Sequence, residues 1–277
     1  MNRIKMPPAL CAINGELTAG AVLSFIIIFL SLLSLLWIPF DYNAMDSASR
    51  FTPPGGRHIL GTDNFGRDIF SRIMTGGRHT LLLALCTVAG SALLGTILGL
   101  SAGYAGGIPD EIIMRLMDTI SSFPALLLAL AMTALLDNGQ FTIFAALLIL
   151  FVPGFTRIMR SGALQYRHTD FILAERLIGA GHIRIIFIHL LPNLAPSLLS
   201  ASALGLSNAI LAEAAMSYLG FGIQPPVPSW GRMLAESQNF IFNAPWCALA
   251  PGFSIMLAVI VFHCLGEGIR RQSGGRP

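Results

Sequence analysis

The side chains able to do chemistry inside the apolar stretches of this chain are few: Glu213, His263, Ser207, Ser254 and the cysteines. An enzyme acting there would need a nucleophile and a base within reach of each other. Ser207 or Ser254 with His263 is the pairing on offer, and neither serine sits in a Gly-x-Ser-x-Gly turn. Cys11, Cys86, Cys247 and Cys264 show no CxxC or Cys/His spacing, so they read as core thiols without a disulfide framework or a metal. Leu10-Cys11-Ala12 faintly resembles a lipoprotein cleavage site but precedes the apolar stretch it should follow. No GxxxxGK[ST] phosphate cradle is present, and the lone lysine, Lys5, is far from any glycine-rich helix start, so no cofactor is expected on this chain. Glu213 lies toward the outer end of an apolar run, where an acid is a candidate for a translocation pathway. It reads equally as a helix-end acid reaching headgroup water or pairing with an arginine of another subunit. Asp118 and Asp137 bracket another run and read as end residues, while His263 reads as a hydrogen-bonded core histidine.

The elements that must position these groups are membrane spans. Hydrophobic residues make up 54% of the 277, charged ones only 11%, and soluble domains run nearer a quarter charged. The formal net charge of +3 is too small to suggest nucleic acid and fits loops facing anionic lipid. Uncharged runs long enough to cross about 30 Å of hydrocarbon occur at roughly 19–38, 80–103, 119–136, 139–156, 194–219 and 246–266. Six spans place both termini on one side. With that side inside, the inner segments hold Arg3, Lys5, Arg115, Arg157, Arg160, Arg167, Arg176, Arg184, Arg270, Arg271 and Arg276. The outer segments hold Arg50, Arg57, Arg67, Arg72, Arg78 and Arg232, so the bias puts the termini in the cytoplasm.

Two polar stretches interrupt this pattern. From Gln165 to Asn193, two short helical patterns flank Gly179-Ala180-Gly181. Phe171, Ala174, Leu177 and Ile178 share one face, and Ile183, Phe187, Leu190 and Leu191 share another. Thr169 or Asp170 can cap the first helix, the glycines let it reverse, and Pro192 closes the unit. The spacing predicts a helical hairpin with one apolar stripe and a basic rim of Arg167, Arg176, Arg184 and His189. The second stretch runs from His58 to Arg72. Phe65, Ile69 and Ile73 line up opposite Arg67, Asp68 and Arg72, with Asp68 and Arg72 spaced for an i,i+4 pair. It reads as a short helix lying in the membrane interface before the chain re-enters at Thr80.

The hairpin strongly resembles the coupling loop of binding-protein-dependent ABC importer permeases. That family carries Glu-Ala-Ala, then a fixed glycine, then a hydrophobic-x-Leu-Pro ending. Here Leu173-Ala174-Glu175 stands at Glu-Ala-Ala and Gly179 at the fixed glycine. The first and third letters depart, and Glu175 offers an acid half a turn away. Gly61-Thr62-Asp63 through Gly66-Arg67-Asp68 and Arg72 resembles the Leu-Gly-Thr-Asp-x-x-Gly-Arg-Asp signature of the dipeptide, oligopeptide and nickel branch. That loop reads either as an anchor for the bundle or as a direct partner contact. Gly103-Tyr-Ala-Gly-Gly107 to Phe123-Pro124, and Glu213-Ala-Ala to Ser229-Trp230-Gly231, extend the likeness along most of the chain. Gly266-Glu267-Gly268-Ile269-Arg270 resembles the usual ending, which Arg271 to Pro277 do not continue.

What the resemblance implies is an all-α membrane protein with the six-helix, MetI-like fold of type I ABC importers, an amphipathic periplasmic elbow and a cytoplasmic coupling hairpin. It divides the chain into residues 1–79 (tail, first span and outer loop), 80–268 (permease domain, with the coupling loop at 165–193) and a cytoplasmic tail, 269–277. It implies a subunit of the bacterial inner membrane forming half of a pathway with a second permease. The other partners implied are one or two ATPases, a periplasmic or extracellular solute-binding protein, and membrane lipid, with no nucleic acid. Phe171, Ala174, Glu175, Arg176, Gly179, Ala180, Ile183, Phe187 and Pro192 would meet the ATPase. Cargo stays open among dipeptides, oligopeptides, nickel and metal chelates, with a slight lean to the nickel type from the Gly-Ala-Gly-His stretch. A secondary transporter is the rival expectation, but it would show repeated halves and coupling carboxylates near the span centres.

Overall fold

The computed structural model describes residues 8–135 and 140–272. Arg3, Lys5, Asp137, Arg276 and most of the expected tail lie outside them. Among the described residues the chain is helical, with two isolated β-bridges, Gly55 to His58 and Thr62 to Asp68. The helices are α1 (Pro8–Leu33), α2 (Ile69–Ala105), α3 (Gly107–Ser122), α4 (Ala125–Leu135) and α5 (Gln140–Tyr166). After them come α6 (Asp170–Leu177), α7 (His182–Tyr218), α8 (Trp230–Ser237) and α9 (Trp246–Gln272).

Four described helices are long and apolar enough to cross a membrane: α2, the Phe141–Tyr166 part of α5, α7 and α9. The apolar part of α1, Gly20–Leu33, is shorter. The expected span at 119–136 is not one helix. Phe123 takes an extended backbone (φ −82°, ψ 136°) because Pro124 follows it, so α3 ends there and α4 starts afresh at Ala125. The seam between α2 and α5 is the most extensive in the bundle. Gly95, Gly99 and Gly103 recur every four residues along α2 and let its backbone touch Phe155, Thr156, Met159 and Arg160. Any side chain at Gly99 would stand 2.4 Å from the Thr156 carbonyl. A cluster that includes Val88, Phe155, Ile210, Trp230, Ile255 and Phe262 joins α2, α5, α7, α8 and α9. By contrast, α1 turns Phe25, Phe29 and Leu32 outward, as a lipid-facing helix does.

Two sequence expectations change here. The elbow is no separate helix: Ile69 to His79 are the first turns of the 37-residue α2, capped by Asp68. The re-entry expected at Thr80 therefore falls inside a continuous helix. The second arm of the hairpin does not stop at Pro192 either. His182 to Tyr218 run as one helix, with a π segment at Ile185–Leu190. Pro192 has no N–H to give the preceding turn, and the register relaxes just before it: the Leu191 amide bonds back to the Ile186 carbonyl. Asn193 then donates its side-chain amide to the His189 carbonyl at 2.7 Å.

Candidate functional site

At one end of the bundle the hairpin is built from its turn outward. Thr169 holds the extended backbone of a cap (φ −73°, ψ 150°), but its hydroxyl bonds back to the Tyr166 carbonyl instead of capping. Asp170 instead puts an acid into the first turn. The helix stops through paired reverse bonds, Gly179 N–H to Arg176 and Ala180 N–H to Glu175, with Gly179 at φ +82°. Gly181 starts α7.

The arms have two apolar faces, not one stripe. Ile172, Ile185 and Leu190 are fully buried against Leu100, Tyr104, Met159 and Ala163. Facing away, Leu177 is 88% exposed, Ile178 77%, Ile183 75% and Phe187 55%. Ala174, Arg176, Gly179 and Pro192 are also exposed, Phe171 partly covers Tyr166, and Ala180 packs on the inner cluster. At helical spacing the inner face had no distinct signal, because Ile172 alternates with Phe171 and Leu173 in one apolar run.

The expected basic rim is divided: Arg176 and Arg184 are exposed, while Arg167 and His189 are half-buried. Arg176 lies over the Tyr104 ring at 4.8 Å, and His189 sits 3.5 Å from Glu175. Arg167 reaches the Gly103 carbonyl. Glu175, offered as an acid for a partner, thus stands between the two arms, where its Oε2 and His189 Nε2 are buried without a hydrogen-bond partner. The Tyr104 hydroxyl shares a hydrogen bond with His182 Nδ1 at 3.0 Å, its ring edge-on to the imidazole. Nearby, Arg160 clasps Asp110 through both carboxylate oxygens, and Arg157 meets Asp118. The Arg160 hydrogen bond holds the Asp110 carboxyl below the usual carboxylate range. This tie of α5 to α3 therefore contributes stability above about pH 4 and is lost only as pH falls below that.

At the other end, the signature loop folds into a buried polar clasp. Arg67 is 6% exposed, Asp68 3% and Arg72 2%, so this is no interfacial polar face. The expected Asp68–Arg72 pair does not form. Asp68 instead meets His58 at 2.9 Å and accepts from Ser71 N–H and Oγ, capping α2. Arg67 bonds Asp63 at 2.6 Å, and both Arg67 and Arg72 reach Glu236 on α8, at 3.0 and 3.1 Å. Arg232 adds a third guanidinium at 3.3 Å. Thr62 is fully buried and accepts from the Thr52 amide, while the Gly61 amide reaches the His58 carbonyl. Gly66, at φ +75°, lies so close to the Asp46 carbonyl that no Cβ could fit. Glu236 was missed from sequence, although it is the sole acid between Glu213 and Glu267 and stands four residues after Arg232.

Glu213 is fully buried within its own chain, so it neither reaches headgroup water nor waits for a partner's arginine. Ser217 donates to it at 2.6 Å. Buried Thr80 and Ser229 stand beside it. Their hydroxyls accept from the Trp230 and Arg232 amides, and the second carboxylate oxygen, Glu213 Oε2, is buried without a hydrogen-bond partner. His263 is exposed on α9 and is no core histidine. Ser207 and Ser254 donate to the Val259 and Ala250 carbonyls, so neither is paired with His263. Cys86, Cys247 and Cys264 are free thiols, and no metal-binding cluster occurs among the described residues.

Residues 95–272 match the family described as "Binding-protein-dependent transport system inner membrane component". The chain belongs to this family. It is the membrane-spanning permease of an ABC importer, and ATP hydrolysis belongs to a separate subunit. The permease is 42% identical over 255 residues to the "Dipeptide transport system permease protein DppC" of Alkalihalophilus pseudofirmus, covering 90% of this chain and 84% of that one. It is 37% identical to the "Di/tripeptide transport system permease protein DppC" of Pseudomonas aeruginosa, over 93% and 87% of the two chains. A "Glutathione transport system permease protein GsiD" of Pectobacterium atrosepticum is 38% identical over 83% of this chain and 75% of its own. In fold, the permease resembles a chain of the inward-facing MetNI methionine ABC transporter at TM-score 0.55 and 21% identity, covering 71% of this chain and 94% of that one.

Proposed function

We propose that this permease moves small peptides inward, as half of a pathway shared with a second permease. An ATPase grips the 165–193 hairpin, and a solute-binding protein delivers cargo at the opposite end. The observation that carries the coupling role is the hairpin's division of labour. One apolar face is spent on the permease's own core, while Leu177, Ile178, Ile183 and Phe187 stay open on a rigid turn. Burying such a stripe in a groove contributes several kcal/mol at roughly 25 cal/mol per Å². The hairpin end then faces the cytoplasm, as do both termini, in keeping with the arginine bias of the connecting segments. The signature loop acts as an internal brace for the outer surface, because Arg67, Asp68 and Arg72 are too buried to meet a partner directly. Glu213, fully buried and bonded by Ser217 of its own helix, likewise faces the interior of the chain and not a partner.

Peptide cargo is favoured over nickel because the relatives with high identity carry peptide and glutathione names. The expected result, with the complete transporter in proteoliposomes, is ATP-dependent uptake of a labelled dipeptide that excess unlabelled dipeptide competes away. Uptake of nickel-63 that dipeptides leave unaffected would overturn the cargo assignment.

A further inference from the structure

Both arms of the hairpin converge on one side chain outside it. Arg176, from α6, stacks over the Tyr104 ring, and His182, from the first turn of α7, hydrogen-bonds its hydroxyl at 3.0 Å. Tyr104 is 8% exposed and sits in the last turn of α2. Because Arg176 and His182 stand on opposite sides of the Gly179 turn, a rotation of either arm alone would break one of the two contacts. A rotation of the hairpin as a unit would carry Tyr104 with it.

What Tyr104 would move is a single uninterrupted helix. α2 runs from Ile69 to Ala105 with no proline, and its far end holds Arg72, locked to Glu236 on α8. Tyr104 and Arg72 are about 50 Å apart at 1.5 Å per residue. Between them the glycine seam keys α2 to α5 at backbone contact, so α2 cannot slide independently of α5. We infer that Tyr104 is the positioning residue that makes hairpin and α2 one rigid body, carrying movement of the ATPase grip to the outer clasp. This inference rests on the proposed role of the hairpin, and it adds the route by which force leaves it.

The test uses the complete transporter, reading labelled-dipeptide uptake per ATP hydrolysed alongside the amount of ATPase that co-purifies. Tyr104→Leu removes both contacts and is expected to lower uptake per ATP at least tenfold while the ATPase still co-purifies in full. Tyr104→Phe keeps the ring beneath Arg176 and is expected to lose only two- to fivefold. In a cysteine-free background, Tyr104→Cys with His182→Cys is expected to lose uptake per ATP as Tyr104→Leu does, and to recover most of it when a short bifunctional thiol reagent joins the two thiols. If the unjoined pair transports normally, or if joining the thiols restores nothing, hairpin and α2 do not work as one body and the inference falls. It falls equally if Tyr104→Leu transports normally, or if it loses ATPase in proportion to uptake, which is what a role in hairpin shape alone would give. A wild-type complex that retains no ATPase would instead remove the coupling assignment on which the inference rests.

Discussion

Replacing Glu236 with alanine is expected to destabilise the permease by about 3–5 kcal/mol, the usual cost of removing one partner from a buried ion pair. The Arg67 and Arg72 side chains are only 7% and 3% exposed, and both bond the same Glu236 oxygen. Without that acid, two guanidiniums would share Asp63, which is 2.6 Å from one and 3.8 Å from the other. One negative charge cannot offset two desolvated positive ones. The expected readout is a fall in melting temperature on the order of 10 °C for the purified protein in a fixed detergent and lipid mixture. Arg232→Ala supplies the contrast. That side chain is 28% exposed at the rim of the same cluster, and its loss should cost under about 1 kcal/mol. Equal, small shifts for the two variants would show that the clasp does not hold the outer loop to α8.

Substituting valine at Gly179 is the second change with a large expected effect, this time on coupling. The residue sits at φ +82°, and a Cβ there would meet nothing within 4 Å, so the cost is backbone strain, not a clash. A β-branched side chain disfavours this region by about 2 kcal/mol, enough to abandon the paired reverse bonds that end α6. Leu177 and Ile178 would then no longer share a surface with Ile183 and Phe187. Uptake per ATP hydrolysed is expected to fall more than tenfold for Gly179→Val. Asparagine tolerates this conformation, so Gly179→Asn should retain at least half of the wild-type ratio. If valine were as good as asparagine, the turn geometry would have no part in coupling.

How much of this could be seen in the chain itself depended on the range of the interaction. The hairpin was legible because its signals are local: helical spacing on each arm and a glycine where the chain must turn. Its continuation through Pro192 was not, since proline usually closes a helix, and a π segment that relaxes the register beforehand has no simple residue signature. The 119–136 stretch was apolar enough for one span, yet Pro124 fixes Phe123 in an extended backbone and splits it. Arg67, Asp68 and Arg72 read as a polar face toward headgroups because the acid that both arginines need, Glu236, lies far along the chain. A buried charge cluster and an amphipathic surface helix share the same local pattern, and only the long-range partner separates them. Tyr104 stood in the Gly103–Gly107 stretch that carries the likeness, but nothing there pointed to its contacts, because both partners lie on the far side of α5 in sequence.

The central claim is that the open face of the hairpin is where the ATPase holds the permease. Its most direct measurement is site-specific cross-linking in the assembled, cysteine-free transporter, from Leu177→Cys, Ile183→Cys and Ile172→Cys in turn. The first two should link to the nucleotide-hydrolysing subunit, while Ile172→Cys, fully buried against α2 and α5, should not. If neither exposed position links to that subunit, or if either is labelled by a membrane-impermeant thiol reagent from the outside of intact cells, the account is wrong.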